Sequence, residues 1–102
     1  MTMHQKKRLE LIIERMALSR ARDILEDAGL TGYTILSAMA GFGGGRRWRR
    51  GDLSTAEEMT VVIAIGDEEK INRALVELHK LIEAQIGVLS VSDVDVLRPD
   101  RF

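Results

Sequence analysis

Gly41-Phe42-Gly43-Gly44-Gly45-Arg46-Arg47-Trp48-Arg49-Arg50-Gly51-Asp52-Leu53-Ser54-Thr55-Ala56-Glu57 separates two strand-like apolar runs, and its reading decides how the rest of the chain is organised. Five of these 17 residues are glycine, and four arginines surround the chain's one tryptophan. Glycine lets a backbone take positive φ and approach a ligand closely. Arginine supplies planar cationic forks, and tryptophan supplies an aromatic face. The segment reads as a structureless connection, and a compact domain seldom spends so many residues on one unless it binds something or is disordered.

Working outward, alternation marks the strands. Leu9, Leu11 and Ile13 alternate with Arg8, Glu10 and Glu14, the period-two pattern of a strand with one buried face, and Ile12 interrupts the polar side. Ser19 reads as the N-cap of a helix with Ala21, Ile24, Leu25 and Ala28 on one face and Gly29 as its stop. A second strand spans about 33–39 and a third 59–65. Asp67, Glu68 and Glu69 open a second helix, where acidic groups favour the positive end of the helix dipole. Ile71, Leu75, Leu78 and Ile82 form its apolar stripe, Gly87 ends the following turn, and a last strand or pair of strands covers 88–97 before Pro99. The order β-α-β-loop-β-α-β is that of an α+β, ferredoxin-like βαββαβ domain, with both helices on one face of a four-stranded antiparallel sheet. The chain reads as one domain over 1–102, with tails at 1–5 and 98–102. Ile12, Leu36, Val62 and Ala64 read as apolar residues on the face turned away from the helices, so a homo-oligomer is expected, the alternative being a C-terminal tail folded across that face.

Composition narrows the function classes. With 45% apolar and 30% charged residues over 102 positions, the chain suits one globular domain. A formal net charge of -1 makes any attraction for anions local rather than global. The absence of cysteine excludes disulfides, thiolate metal sites and cysteine nucleophiles. No signal-like or membrane-length apolar stretch is visible, so a cytoplasmic location is the expectation.

No catalytic constellation emerges, and an enzyme is not expected. His4 and His79 lack metal-like partners, and each reads as a solvated surface histidine. Asp93 with Asp95, and Glu57 with Glu58, read as solvated charges, and Ser54 and Thr55 as loop residues. Arg46, Arg47, Arg49 and Arg50 suit a phosphate, a carboxylate or an acidic protein surface. With Trp48 they also suit single-stranded nucleic acid, where the indole stacks on a base. The acidic balance and the lack of a second basic stripe disfavour nucleic acid. A solvated loop without a partner is the third reading.

These pieces resemble the P-II signalling superfamily. Lys6-Lys7-Arg8-Leu9-Glu10-Leu11-Ile12-Ile13 is similar to its opening strand. Gly32-Tyr33-Thr34 followed by Gly41-Phe42-Gly43 resembles its second strand and the entry to its long signalling loop, the T-loop, here 41–57. Gly87 sits where a second loop, the B-loop, approaches nucleotide phosphate, and Arg98 lies near the family's C-terminal arginines. There are departures. Gly44 and Gly45 replace the Arg-Gln pair of nitrogen-regulating members, whose glutamine helps hold magnesium and 2-oxoglutarate. The loop lacks the tyrosine that is uridylylated, Ala56-Glu57-Glu58 stands where a lysine precedes the third strand, and Val88 replaces the B-loop lysine. These speak against strong binding of magnesium-ATP and 2-oxoglutarate.

The remainder is similar to P-II-like proteins of inorganic-carbon uptake, the SbtB type and the carboxysome-associated type. The resemblance implies a non-enzymatic homotrimer that binds ADP or AMP in preference to ATP between subunits, with bicarbonate a further ligand and no cofactor or metal. It implies a T-loop that docks on a protein partner such as a transporter or a carbon-metabolism component. The implied nucleotide residues are Ile12, Thr34 and Ala64 at the adenine, Gly41, Gly43 and Gly87 at the phosphates, Arg98 and Arg101 as neutralising cations, and Phe42 and Val88 elsewhere in the site. Arg46, Arg47, Trp48, Arg49 and Arg50 form the implied anion- and partner-binding loop. A nitrogen-regulatory P-II protein, an adaptor trimer without nucleotide control and a nucleic-acid module are the alternatives.

Overall fold

The computed structural model describes residues 1–43, 46–49 and 58–97, with 46–49 described as main chain. Strand β1 (His4–Glu14) runs through a 3-10 turn (Arg15–Ala17) into helix α1 (Leu18–Asp27). Strand β2 (Tyr33–Ser37) follows, then β3 (Ala40–Gly43) and β4 (Arg46–Arg49). Strand β5 (Met59–Gly66), helix α2 (Glu68–Ala84) and strand β6 (Gly87–Val96) complete the order. The main sheet is antiparallel in the order β2-β5-β1-β6, so each helix links strands separated by one neighbour. This is the ferredoxin-like α+β arrangement.

Two helices cover one sheet face because the alternating residues of β1 meet the helical stripes there. Leu9, Leu11 and Ile13 are fully buried, with Ala21, Ile24 and Leu25 from α1 and Ile71, Ala74 and Leu78 from α2 above them. Helix α1 stops where Gly29 takes φ +88°, a conformation that a side chain would strain. There the Leu30 N–H donates to Leu25 O at 2.9 Å and the Gly29 N–H to Glu26 O at 3.0 Å, which satisfies carbonyls that the last turn would leave open.

Several expectations need correction. Ser19 does not cap α1: the helix begins at Leu18, and Ser19 is exposed within its first turn. The preceding 3-10 turn, in which the Leu18 N–H donates to Arg15 O, removes the need for a side-chain cap. His4 and Gln5 belong to β1 rather than to a tail at 1–5, since His4 pairs with Val96 of a long β6. Gly87 starts β6 instead of ending a turn, and 87–96 is one strand. The second strand stops at Ser37 rather than 39.

Two further corrections bear on function. Val62 and Ala64 do not lie on the face away from the helices. They pair with Leu11 and Leu9 and are fully buried in the core. The segment 41–57 is also not wholly structureless, because Ala40–Gly43 pairs antiparallel with Arg46–Arg49 as a two-stranded ribbon. Ladder hydrogen bonding uses only main chain, so it is indifferent to the glycines and arginines that argued against a strand. Residues 44, 45, 50–57 and 98–102 lie outside the described residues, including Gly44, Gly45, Arg50, Ser54, Thr55, Glu57, Arg98 and Arg101.

Candidate functional site

The sheet face away from the helices carries the feature that the sequence points to. Partner residues in an antiparallel ladder share a face, so pairing across all four strands places Leu36, Val61, Ile12 and Val88 in one transverse row. Leu36 is 48% exposed and Val88 62%, while Val61 and Ile12 are half-buried. The next row is Thr34, Ile63, Glu10 and Ser90. Beyond it Ile65 stands beside Arg8, whose Nη2 donates to Glu10 Oε1 at 3.2 Å. An apolar band thus crosses a sheet face that no described helix covers, with one ion pair at its margin.

The structure gathers part of the expected site on this face. Ile12 and Val88 are direct partners, and Thr34 is exposed one row away. Gly41, Phe42 and Gly43 lie in the β3–β4 ribbon, where Phe42 is 71% exposed. Ala64 is separated from the others, because its side chain is under the helices and only its backbone reaches the ladder. Arg46, Arg47, Trp48 and Arg49 pair through their main chain with Gly43, Phe42, Gly41 and Ala40.

Packing around Gly87 is tight. A Cβ there would lie 3.0 Å from the Ile12 carbonyl oxygen and 3.2 Å from Ile82 Cγ2, because β6 begins hard against β1 and α2. One side is backbone, which cannot swing away. The turn before Gly87 is tied to β1 by Glu14, whose Oε1 accepts the Ile86 N–H at 3.0 Å. On the other flank the Arg15 N–H donates to Glu58 O at 2.7 Å, and Arg15 Nη1 to Glu58 Oε2 at 3.3 Å. Adjacent residues at the end of β1 therefore hold the turn before β6 and the residue that follows 44–57.

Sequence reading missed Glu14, Arg15, Val61 and Ile63. The run Thr60-Val61-Val62-Ile63-Ala64-Ile65 is apolar on both faces, so its alternation has no readable phase. The small Ala64 under the helices was the available signal.

Elsewhere several charges are held in local pairs. Lys6 bonds Asp67, which holds that carboxyl below the usual aspartate range, and Lys7 bonds Asp93 at 2.5 Å, which raises the lysine. A shallow polar cleft among Gln5, Lys6, Lys7, Glu68 and Asp93 is lined by these pairs. His79 is exposed on α2 with Nδ1 3.3 Å from Glu83 Oε1, and His4 is exposed at the start of β1. Among the described residues no three histidine, aspartate or glutamate side chains gather as a metal site, and no helix is long and apolar enough to cross a membrane.

Comparison with solved structures places this geometry among known ones. The chain is 32% identical to CPII, a nitrogen regulatory PII-like protein from Thiomonas intermedia K12 solved with ADP, AMP and bicarbonate. That match has a TM-score of 0.87 and covers 99% of this chain and 96% of that one. A second CPII structure, bound to ADP and bicarbonate, is 31% identical with a TM-score of 0.86, covering 99% and 97%. A PII-like signalling protein of Thermus thermophilus shares the fold at 22% identity and a TM-score of 0.81, covering 100% and 99%. A search of curated protein sequences gives no match. The family model that matches, over residues 6–101, is that of nitrogen regulatory protein P-II, and the chain is a member of that family.

Proposed function

We propose that this chain is a P-II-like sensor that binds ADP or AMP, together with bicarbonate, between the subunits of a homotrimer and signals through 41–57. What carries the reading is its likeness, above 30% identity over nearly the whole chain, to a protein solved with those ligands. The apolar row Leu36–Val61–Ile12–Val88 supports assembly, because a sheet with helices on one face only leaves the other to be covered by more protein.

In this reading Ile12, Thr34 and the backbone at Ala64 line the adenine. Gly41, Phe42, Gly43, Gly87 and Val88 stand towards the phosphates, where main-chain N–H groups meet anionic oxygens. Arg46 or Arg47, with Arg98 and Arg101, neutralises the anion through charge-assisted hydrogen bonds. Nucleotide selects one arrangement of 41–57 because it contacts the segment in that arrangement alone. Arg49, Arg50 and Trp48 then present a docking surface to a protein partner, a transporter or other component of inorganic-carbon uptake. The chain acts as a regulator in the cytoplasm rather than as an enzyme.

Calorimetry with ADP, AMP, ATP and cyclic AMP, each with and without bicarbonate, tests the reading. ADP or AMP should bind below millimolar concentration and more tightly than ATP. Failure of all four to bind would remove the sensor function and leave an adaptor. Salt-dependent binding of a single-stranded oligonucleotide, lost in Trp48→Ala, would instead favour a nucleic-acid module.

A further inference from the structure

Glu14 is the last residue of β1 and, at 9% exposure, one of two buried polar side chains among the described residues. Its Oε1 accepts the Ile86 N–H at 3.0 Å, immediately before Gly87 enters the sheet beside Ile13. The carboxylate therefore occupies a main-chain donor of the turn that, in the proposed function, stands at the phosphates. Its sequence neighbour Arg15 is turned to Glu58, with Nη1 3.3 Å from Glu58 Oε2 and the Arg15 N–H 2.7 Å from Glu58 O. The position after Gly87 is Val88, an aliphatic side chain in the apolar row. A negative group thus sits where a phosphate chain would otherwise gain a donor, and no cation of β1's end or of the start of β6 is directed at it.

We infer that Glu14 is a specificity-determining residue for the number of phosphates, holding the Ile86 N–H and setting a negative charge beside the phosphate tail. The inference rests on the adenine-nucleotide reading. Each added phosphate brings about one more negative charge at neutral pH, and like charges a few ångströms apart inside protein repel far more than in water. The penalty therefore grows from AMP to ADP to ATP. Burial of the side chain is offset by the amide hydrogen bond it accepts.

The test measures affinities of AMP, ADP and ATP for the wild type, Glu14→Gln and Glu14→Ala. Glutamine keeps an oxygen acceptor for the Ile86 N–H and removes the charge, so the ratio of ATP to AMP affinity should rise about tenfold. Adenosine, with no phosphate, should show no such gain. Alanine removes the charge and also frees the Ile86 N–H as a donor, so the same ratio should rise at least as far as with glutamine. If alanine does not fold, the glutamine ratio alone decides. A ratio within about twofold of the wild type in Glu14→Gln overturns the inference while leaving nucleotide binding intact. A wild type that binds no adenine nucleotide overturns the functional reading and this inference with it.

Discussion

Replacing Val61 by glutamate puts a charge at the middle of the row Leu36–Val61–Ile12–Val88 without disturbing the core on the other side of the sheet. Full burial of such a side chain is worth about 1.5–3 kcal/mol. Val61 and Ile12 are already half-buried within one chain, and Leu36 and Val88 are 48% and 62% exposed. Covering the row by other subunits then gains about half of that value per side chain, or on the order of 3–6 kcal/mol per subunit for the four. Glutamate forfeits the valine's share and carries a carboxylate into the closed interface, where desolvation costs several kcal/mol per charge. In a trimer the cost recurs in each subunit, so assembly should fail at micromolar concentration. The isolated fold should lose only about 0.5–1 kcal/mol, the usual scale for a change on an open sheet face. Light scattering coupled to size exclusion reads the assembly, and urea unfolding followed by circular dichroism reads the fold. Val76→Glu on the outer side of α2, where Val76 is 59% exposed, is the control and should change neither. A Val61→Glu protein that elutes at the same oligomeric size as the wild type would refute the assignment of this face to assembly.

Gly87→Ala should destabilise the fold by about 1–3 kcal/mol in urea with or without nucleotide, because its Cβ would press on the Ile12 carbonyl rather than on a ligand. A loss seen only in nucleotide affinity would show that the packing argument is wrong. Asp67→Asn should flatten the acid limb of the pH–stability curve. Lys6 depresses the Asp67 pKa in the folded state, so this stabilisation is present above the ordinary aspartate value of 3.8 and is lost as pH falls through the lower folded value. Lys7, raised above 10.5 by Asp93, gives the opposite limb: its contribution is complete below that value and is lost as pH rises through the higher folded one, and Asp93→Asn should remove it. Both effects should shrink in high salt, since Asp67 and Asp93 are exposed. Unchanged curves in low salt would deny these pairs any role.

Much of the architecture was legible because each element carries its own period. The β1 alternation, the helical stripes and the Gly29 stop all lie where the structure has them. The errors share a physical cause, which is that tertiary context overrode local chemistry. A 3-10 turn made Ser19 unnecessary as a cap, and a long β6 drew His4 and Gln5 into the sheet. The uniformly apolar β5 concealed which of its faces met the helices, so Val62 and Ala64 were exchanged for Val61 and Ile63. Of the candidate site, Ile12, Thr34 and Val88 share the open face as a period-two reading allows. Glu14 was invisible because its partner is a backbone N–H 72 residues away, a contact that no spacing rule predicts.

Native mass spectrometry of the wild-type protein with ADP tests the central claim most directly, since it counts subunits and ligands in one spectrum. A trimer carrying up to one ADP per subunit, with the adducts absent from any monomer present, is the result expected of a site built between subunits. Monomers that bind ADP as well as the trimer does, or a trimer that binds none, would contradict the account.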